Sequence, residues 1–227
     1  MIEKIVQIWD RYWMLFMQGL GVTLLLSLVI VIVGTLLGFL LAMLRLSNWK
    51  IVKIRPLNTL AGIYVEIVRG TPMLLQLYFF YFMLPMAFPK MNLSPVVCAT
   101  VALCLNSAAY VSEVIRSGIQ AVDKGQMEAA RCLGLTGRQA MFKVVLPQAV
   151  RNILPALGNE FINMIKQVSL ASVFFINELT TSYKTVLAAT YIPIESILIA
   201  GMIYLLVTTV LSQVVNVMEW RMRLAEG

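Results

Sequence analysis

The sequence contains no histidine. A histidine-ligated metal site and a histidine general base are therefore both excluded. Three cysteines, Cys98, Cys104 and Cys132, make no disulfide framework, and the first two lie in an apolar run where a thiol packs as a small hydrophobe. Acids are scarce, 11 Asp and Glu against 18 Lys and Arg. There is no GxxxxGK[ST] loop to cradle phosphates, no kinase signature and no cluster with metal-ligand spacing. If the protein does energised work, another subunit must bring the energy.

What is abundant is hydrocarbon. Of 227 residues 60% are hydrophobic, well above the 45–50% usual in soluble domains, and mean hydropathy is +0.84. Uncharged windows cover 12–44, 70–89, 91–112 and 196–218. Each is long enough to cross a hydrocarbon core roughly 30 Å thick, which takes about 20 helical residues. The runs are solid, as in "LLLSLVIVIV", rather than alternating, which argues against a β-barrel. The expected fold is an all-α integral membrane protein, one transmembrane domain over 1–227. Five helices are expected, at about 14–43, 58–83, 94–115, 154–176 and 195–217.

The net charge of +7 does not point to nucleic acid, because the positives flank the apolar runs. Arg45, Lys50, Lys53 and Arg55 follow the first span, and Arg116, Lys124, Arg131, Arg138, Lys143 and Arg151 follow the third. With Arg221 and Arg223 near the end, twelve basic residues fall on one side. Lys4, Arg11, Lys90 and Lys184, four in all, fall on the other. The positive-inside rule then puts the amino terminus outside and the carboxyl terminus in the cytoplasm. Residues 1–11 read as an amphipathic lead-in with Trp9, Tyr12 and Trp13 at the interface. The first apolar window is too long for a signal peptide and lacks a cleavage pattern, so it reads as a retained span. Gly34 and Gly38 form a small-xxx-small step that permits close helix contact. Residues 177–194 are too polar for a sixth span; an outer loop with a partial, surface-lying helix is favoured over a re-entrant hairpin.

The polar stretch 119–152 sits between the third and fourth spans. Asp123 with Gln126, and Thr136 with Gln139, have capping-box spacing. "KGQMEAARCL" is a good helix former, and Gly134 after it suits a left-handed cap. A second helix is expected at 137–145, stopping before Pro147. Two short helices about a glycine corner can dock a cytoplasmic partner, or can simply be a structural loop against the chain's own spans.

The stretch resembles the coupling motif of binding-protein-dependent ABC importer permeases. That motif runs EAA, three residues, Gly, nine residues, Ile-x-Leu-Pro. Glu128, Ala129, Ala130 and Gly134 fit, as do Leu146 and Pro147, with Val144 in place of isoleucine. "YVEIVRGTPMLLQLYFFY" (64–81), "NSAAYVSEVIRSGIQAVDKGQMEAARCLG" (106–134) and "LPQAVRNILPALGNEFINMIKQVSLASV" (146–173) are similar to the polar amino acid branch (His, Glu, Gln, Arg, opine) of that family. Gln167 and Val168 depart from its frequent Asp or Asn followed by Thr, so the amino acid carried stays unassigned. The resemblance implies a type I importer permease in the inner membrane that moves a polar amino acid by alternating access. It implies a second permease subunit, identical or related, and two ABC ATPase subunits that hold the ATP and magnesium. It also implies an extracellular or periplasmic amino-acid-binding protein or domain. No cofactor or metal is implied for this chain. The competing classes are a secondary carrier or channel, which would want paired inverted halves, and a scaffold without transport.

Some charges lie inside the spans. Glu66 is ten residues past Pro56, about 15 Å of helix, and stacks with Arg69 at i,i+3. The two can neutralise each other or face a water-filled path. Gly70 and Pro72 predict a local helix break whose freed backbone groups can bind a solute. Lys166, with Gln167 and Ser169 beside it, has no acid one turn away. It either pairs with Glu66 or another span, or lines the path. Asn106 and Glu160 read as polar groups of a gate or of the packing, and Tyr78, Tyr81 and Phe82 either shape a cavity or pack.

Overall fold

The computed structural model describes residues 1–46 and 56–224. Among the described residues all regular structure is helical. Three helices are long and apolar enough to cross a membrane: α1 (Ile2–Leu46), α4 (Pro95–Gln120) and α9 (Pro193–Leu224). A bent pair, α2 (Pro56–Gly70) and α3 (Met73–Ala87), makes a possible fourth crossing, turned by 109° at its break. Between and after these lie α5 (Lys124–Cys132), α6 (Gly137–Ala140), α7 (Leu146–Val168) and α8 (Leu179–Thr190). At 23 residues α7 has the length of a crossing but carries Arg151, Glu160 and Lys166.

The expected lead-in is not separate from the first span. Leucine, isoleucine and valine run on with neither proline nor a cap, so α1 continues for 45 residues, about 68 Å. The break in the second span lies at Thr71–Pro72, where proline lacks the amide that a continuous helix needs. Most of the basic loop that carries the side assignment, including Lys50, Lys53 and Arg55, lies outside the described residues.

The chain divides into two compact units. The first comprises Met1–Ile32, Thr71–Cys104 and Phe161–Gln213. One core in it gathers Ile30, Leu77, Leu103, Met164 and Val168, and beside it Tyr81 stacks on Phe174 at 4.3 Å between ring centroids. A second core joins Ile8 and Phe16 of α1 to Leu179 and Val186 of α8 and Ile199 of α9.

The segment before and through α8 is not surface-lying. Glu178 is fully buried and caps α8, accepting from the Thr180 amide at 2.8 Å, the Thr181 amide at 2.6 Å and the Tyr204 hydroxyl at 3.1 Å. Thr23 accepts from the Leu179 amide at 3.1 Å, and Ser182 donates to the Leu15 carbonyl at 3.0 Å. Lys184 donates to the Ser172 carbonyl at 3.2 Å and hydroxyl at 3.0 Å. The polarity that argues against a sixth span is spent inside the protein, because buried polar groups are stable only when partnered.

The second unit comprises Val33–Gly70, Leu105–Glu160 and Val214–Gly227. Ala42 of α1, Val111 and Ile115 of α4, and Ala149 and Ile153 of α7 form its core. The small-xxx-small step does what its spacing predicts. A Cβ on Gly34 would stand 2.5 Å from the Ser107 hydroxyl, and one on Gly38 2.8 Å from Val111. Only glycine lets α1 and α4 approach this closely.

Candidate functional site

The polar block of the second unit is built as two capped helices. Asp123 caps α5, accepting from the Gly125 amide at 2.5 Å. Gln126 does not complete a box there; its side-chain oxygen accepts from Gln148 at 3.3 Å instead. At the other end Gly134 takes φ +89°. The Leu135 amide reaches the Ala130 carbonyl at 3.2 Å and the Gly134 amide the Arg131 carbonyl at 3.0 Å, the two bonds of a Schellman cap. Thr136 and Gln139 form a complete capping box at the start of α6, with bonds of 3.3 and 2.9 Å.

The second helix does not stop before Pro147. A π-helical turn, Met141–Val145, carries the chain from α6 straight into α7. The Leu146 amide bonds the Met141 carbonyl five residues back. Proline in a regular α-helix clashes with the carbonyl four residues earlier, and the wider π turn absorbs that clash. Gln148 donates to the Val144 carbonyl at 3.1 Å and so occupies an acceptor of this irregular turn.

The block presents Glu128, Ala129, Gly134 and Pro147 outward. Ala130 faces inward at 3% exposure, and Leu146 is half-buried. Ala130 is therefore not a surface for close approach by a partner; it packs the underside of the corner. Two apolar side chains that the motif does not single out stand out of the block. Leu133 is 85% exposed at the corner, and Phe142 is 59% exposed with the Arg138 guanidinium 6.0 Å from its ring centroid. A leucine immediately before a left-handed glycine is the signal for the first, because a cap residue at an exposed corner has nothing to pack on.

In the same unit Glu66 and Arg69 are both exposed. The i,i+3 stack does not close into an ion pair. Arg69 instead sits 5.6 Å from the centre of the Tyr110 ring. Glu113, by contrast, forms ion pairs with Arg45 and with Arg116. Asn106 and Glu160 are buried, at 3% and 8% exposure, and both are engaged with other groups.

The remaining residues belong to the first unit, apart from Gly70, which ends the Val33–Gly70 segment of the second and is exposed. Pro72 is exposed and receives the Leu75 and Gln76 amides on its carbonyl at 3.0 and 3.2 Å. The Thr71 carbonyl at the break is not vacant, for Gln76 donates to it at 3.1 Å. Lys166 is exposed, and its carbonyl accepts from the Ser169 hydroxyl at 2.5 Å. The Gln167 side-chain oxygen is buried with no hydrogen-bond partner.

Residues 34–224 match the family described as binding-protein-dependent transport system inner membrane component. The chain belongs to this family. It is 40% identical to the nopaline transport system permease protein NocM of Agrobacterium fabrum over 87% of this chain and 83% of that one. It is 38% identical to the arginine transport system permease protein ArtQ of Bacillus subtilis, over 91% and 92%. A solved amino acid ABC transporter with histidines superposes with a TM-score of 0.87 at 42% identity, covering 93% of this chain and 96% of that one. The fold is that of a type I ABC importer permease, and the permease is a multi-pass component of the inner membrane. A subunit of this kind carries no catalytic centre, and ATP hydrolysis belongs to a partner subunit. Family membership decides against a secondary carrier or channel acting alone.

Proposed function

We propose that this permease carries a polar amino acid inward, with α5 and its Gly134 corner as the element that couples it to the ATPase. The carrying observation is the corner itself. Two capped helices, joined by a Schellman turn and continuous through the π turn with α7, form a stiff lever, and Glu128, Ala129 and Leu133 point out of it. A floppy loop would absorb a stroke that capped helices transmit. Leu133 gives the lever an apolar tip for a cleft, and Glu128 accepts charge-assisted hydrogen bonds from it.

In this reading five spans cross the membrane: α1, the bent α2–α3 pair, α4, α7 and α9. The twelve-to-four basic asymmetry supports an amino terminus outside and α5 in the cytoplasm. Two permeases, identical or related, meet two ABC ATPases, and a binding protein or domain delivers the solute from outside. Glu66, Arg69, Gly70, Pro72, Lys166, Gln167 and Ser169 are the pathway residues. Exposed charge on membrane helices supports this, since Glu66, Arg69 and Lys166 are not stable against lipid and must meet water or a second subunit. The names of the relatives, nopaline and arginine, support a polar amino acid as cargo.

The test is purification of the assembled complex, followed by titration of its ATPase activity with a panel of amino acids in the presence of the binding protein. One or a few polar amino acids should stimulate hydrolysis. Leu133→Asp should leave the permease in the membrane and release the ATPase on washing. Full ATPase retention and full uptake by Leu133→Asp would remove α5 from the coupling role.

A further inference from the structure

The coupling reading leaves a mechanical question. The lever is continuous with α7 and follows α4 after three residues, yet neither α1 nor α2 adjoins it in the chain. We infer that Glu113 is a positioning residue that makes the end of α1, and α2 with it, follow the lever.

The geometry is specific. Both oxygens of Glu113 are used by Arg116, one turn on: Nη2 donates to Oε1, and Nε donates to Oε2 at 3.2 Å. This fork-to-fork pairing fixes the plane of the carboxylate and presents Oε2 to α1, where Arg45 Nη1 donates to it. Arg116 is itself held from the far side, donating to Gln120 Oε1 at 2.5 Å in the last turn of α4. Arg45 stands in the last turn of α1, and its carbonyl accepts from Asn58 at the start of α2. One carboxylate thus joins α4 to the end of α1, Asn58 ties the start of α2 to that same end, and α4 leads into Asp123 and the capped α5. The side chains are 15–29% exposed, so the link lies at the margin of the core, outside the apolar packing of Ala42 on Val111 and Ile115. Apolar packing resists separation of α1 from α4 but allows them to slide. A directional pair between fixed forks resists sliding, and that is the motion a push on α5 produces.

This inference rests on the coupling role of α5, and its test separates the two. In the purified complex of permease, ATPases and binding protein, spin labels go on the native exposed Cys132 of α5 and on Leu44→Cys of α1, with Cys98 and Cys104 replaced by alanine. Immobilisation of the Cys132 label on adding the ATPase reports docking of the lever. The distance between the labels is then measured without nucleotide and with ATP trapped by vanadate. In the wild type the two labels should keep one narrow distance in both states. In Glu113→Gln, and equally in Arg45→Met, the ATP state should shift by about 2 Å or more, the scale on which packed helices move. The double variant should shift no further than either single one. A merely structural Glu113 would lower the melting temperature and leave the distance as in the wild type. Immobilised Cys132 with a wild-type distance in Glu113→Gln overturns the clamp and spares the coupling reading. No immobilisation overturns both.

Discussion

Gly134 is where the coupling reading can be tested with a calculable perturbation. Its φ of +89° lies in the left-handed region, and a Cβ built there meets nothing within 4 Å. Space is therefore not the constraint; backbone conformation is. An ordinary side chain held in this region costs about 1–2 kcal/mol, and a β-branched one stands at the upper end because its second γ substituent crowds the following carbonyl. Asparagine tolerates the region and should recover most of that cost. The strained variants can relieve themselves by opening the cap, which releases the Leu135–Ala130 and Gly134–Arg131 bonds and lets α5 swing. The corner is exposed, so opening it should barely move the melting temperature of the permease. Its cost should appear where the corner must be held shut, in the affinity of the ATPase for the permease. One to two kcal/mol corresponds to roughly a 5- to 30-fold loss. The series Gly134→Asn, Gly134→Ala and Gly134→Val should weaken ATPase binding progressively, measured by titration onto permease in nanodiscs, with amino-acid-stimulated hydrolysis falling in the same order. If valine binds the ATPase as tightly as glycine, or if alanine and asparagine fall below valine, conformational strain at the corner is not what governs docking.

Lys166→Met keeps length and apolar bulk while deleting an exposed charge, so the complex should assemble with an unchanged melting temperature and lose most amino-acid-dependent ATPase activity; normal uptake with unchanged selectivity would remove Lys166 from the pathway. Gly34→Val drives a side chain into the Ser107 hydroxyl, 2.5 Å from the position of its Cβ, and should cost about 1–3 kcal/mol as overpacking, seen as a lower melting temperature. Glu178→Ala strips the Thr180 and Thr181 amides and the Tyr204 hydroxyl of a buried acceptor, at about 1–3 kcal/mol for each group left unpartnered, so a variant that expresses and melts like the wild type would refute the role given to that cap. For the sides of the membrane, cysteine at Tyr191, which is 86% exposed, should react with an impermeant thiol reagent on intact cells lacking the native cysteines, while cysteine at Gln139 should not. Labelling of Gln139 from outside would invert the topology.

Much of this permease is legible without coordinates, and the reasons are local. Long uninterrupted apolar runs have one stable state in a bilayer, so α1, α4 and α9 follow from hydropathy alone. Asp123, Gly134 and the Thr136–Gln139 box act on backbone groups within a few residues of themselves, so the corner was readable from spacing. The break at Pro72 was readable for the same reason, a missing amide. Pro147 is ambiguous in the sequence because the same missing amide has two solutions, ending the helix or widening it, and the choice depends on what lies beyond. Here Leu146–Val168 gains more by continuing, with Gln148 supplying a bond to the turn. Partnerships between distant residues are decided only by the fold. Glu66 and Arg69 have the spacing of a pair and form none, while Arg45 and Glu113, 68 residues apart, share an ion pair that no local pattern announces. The inward turn of Ala130 and the burial of Glu178 belong to the same class. A helix period says which residues share a face, but which face meets the core is set by the neighbours, and neighbours are a property of the folded chain.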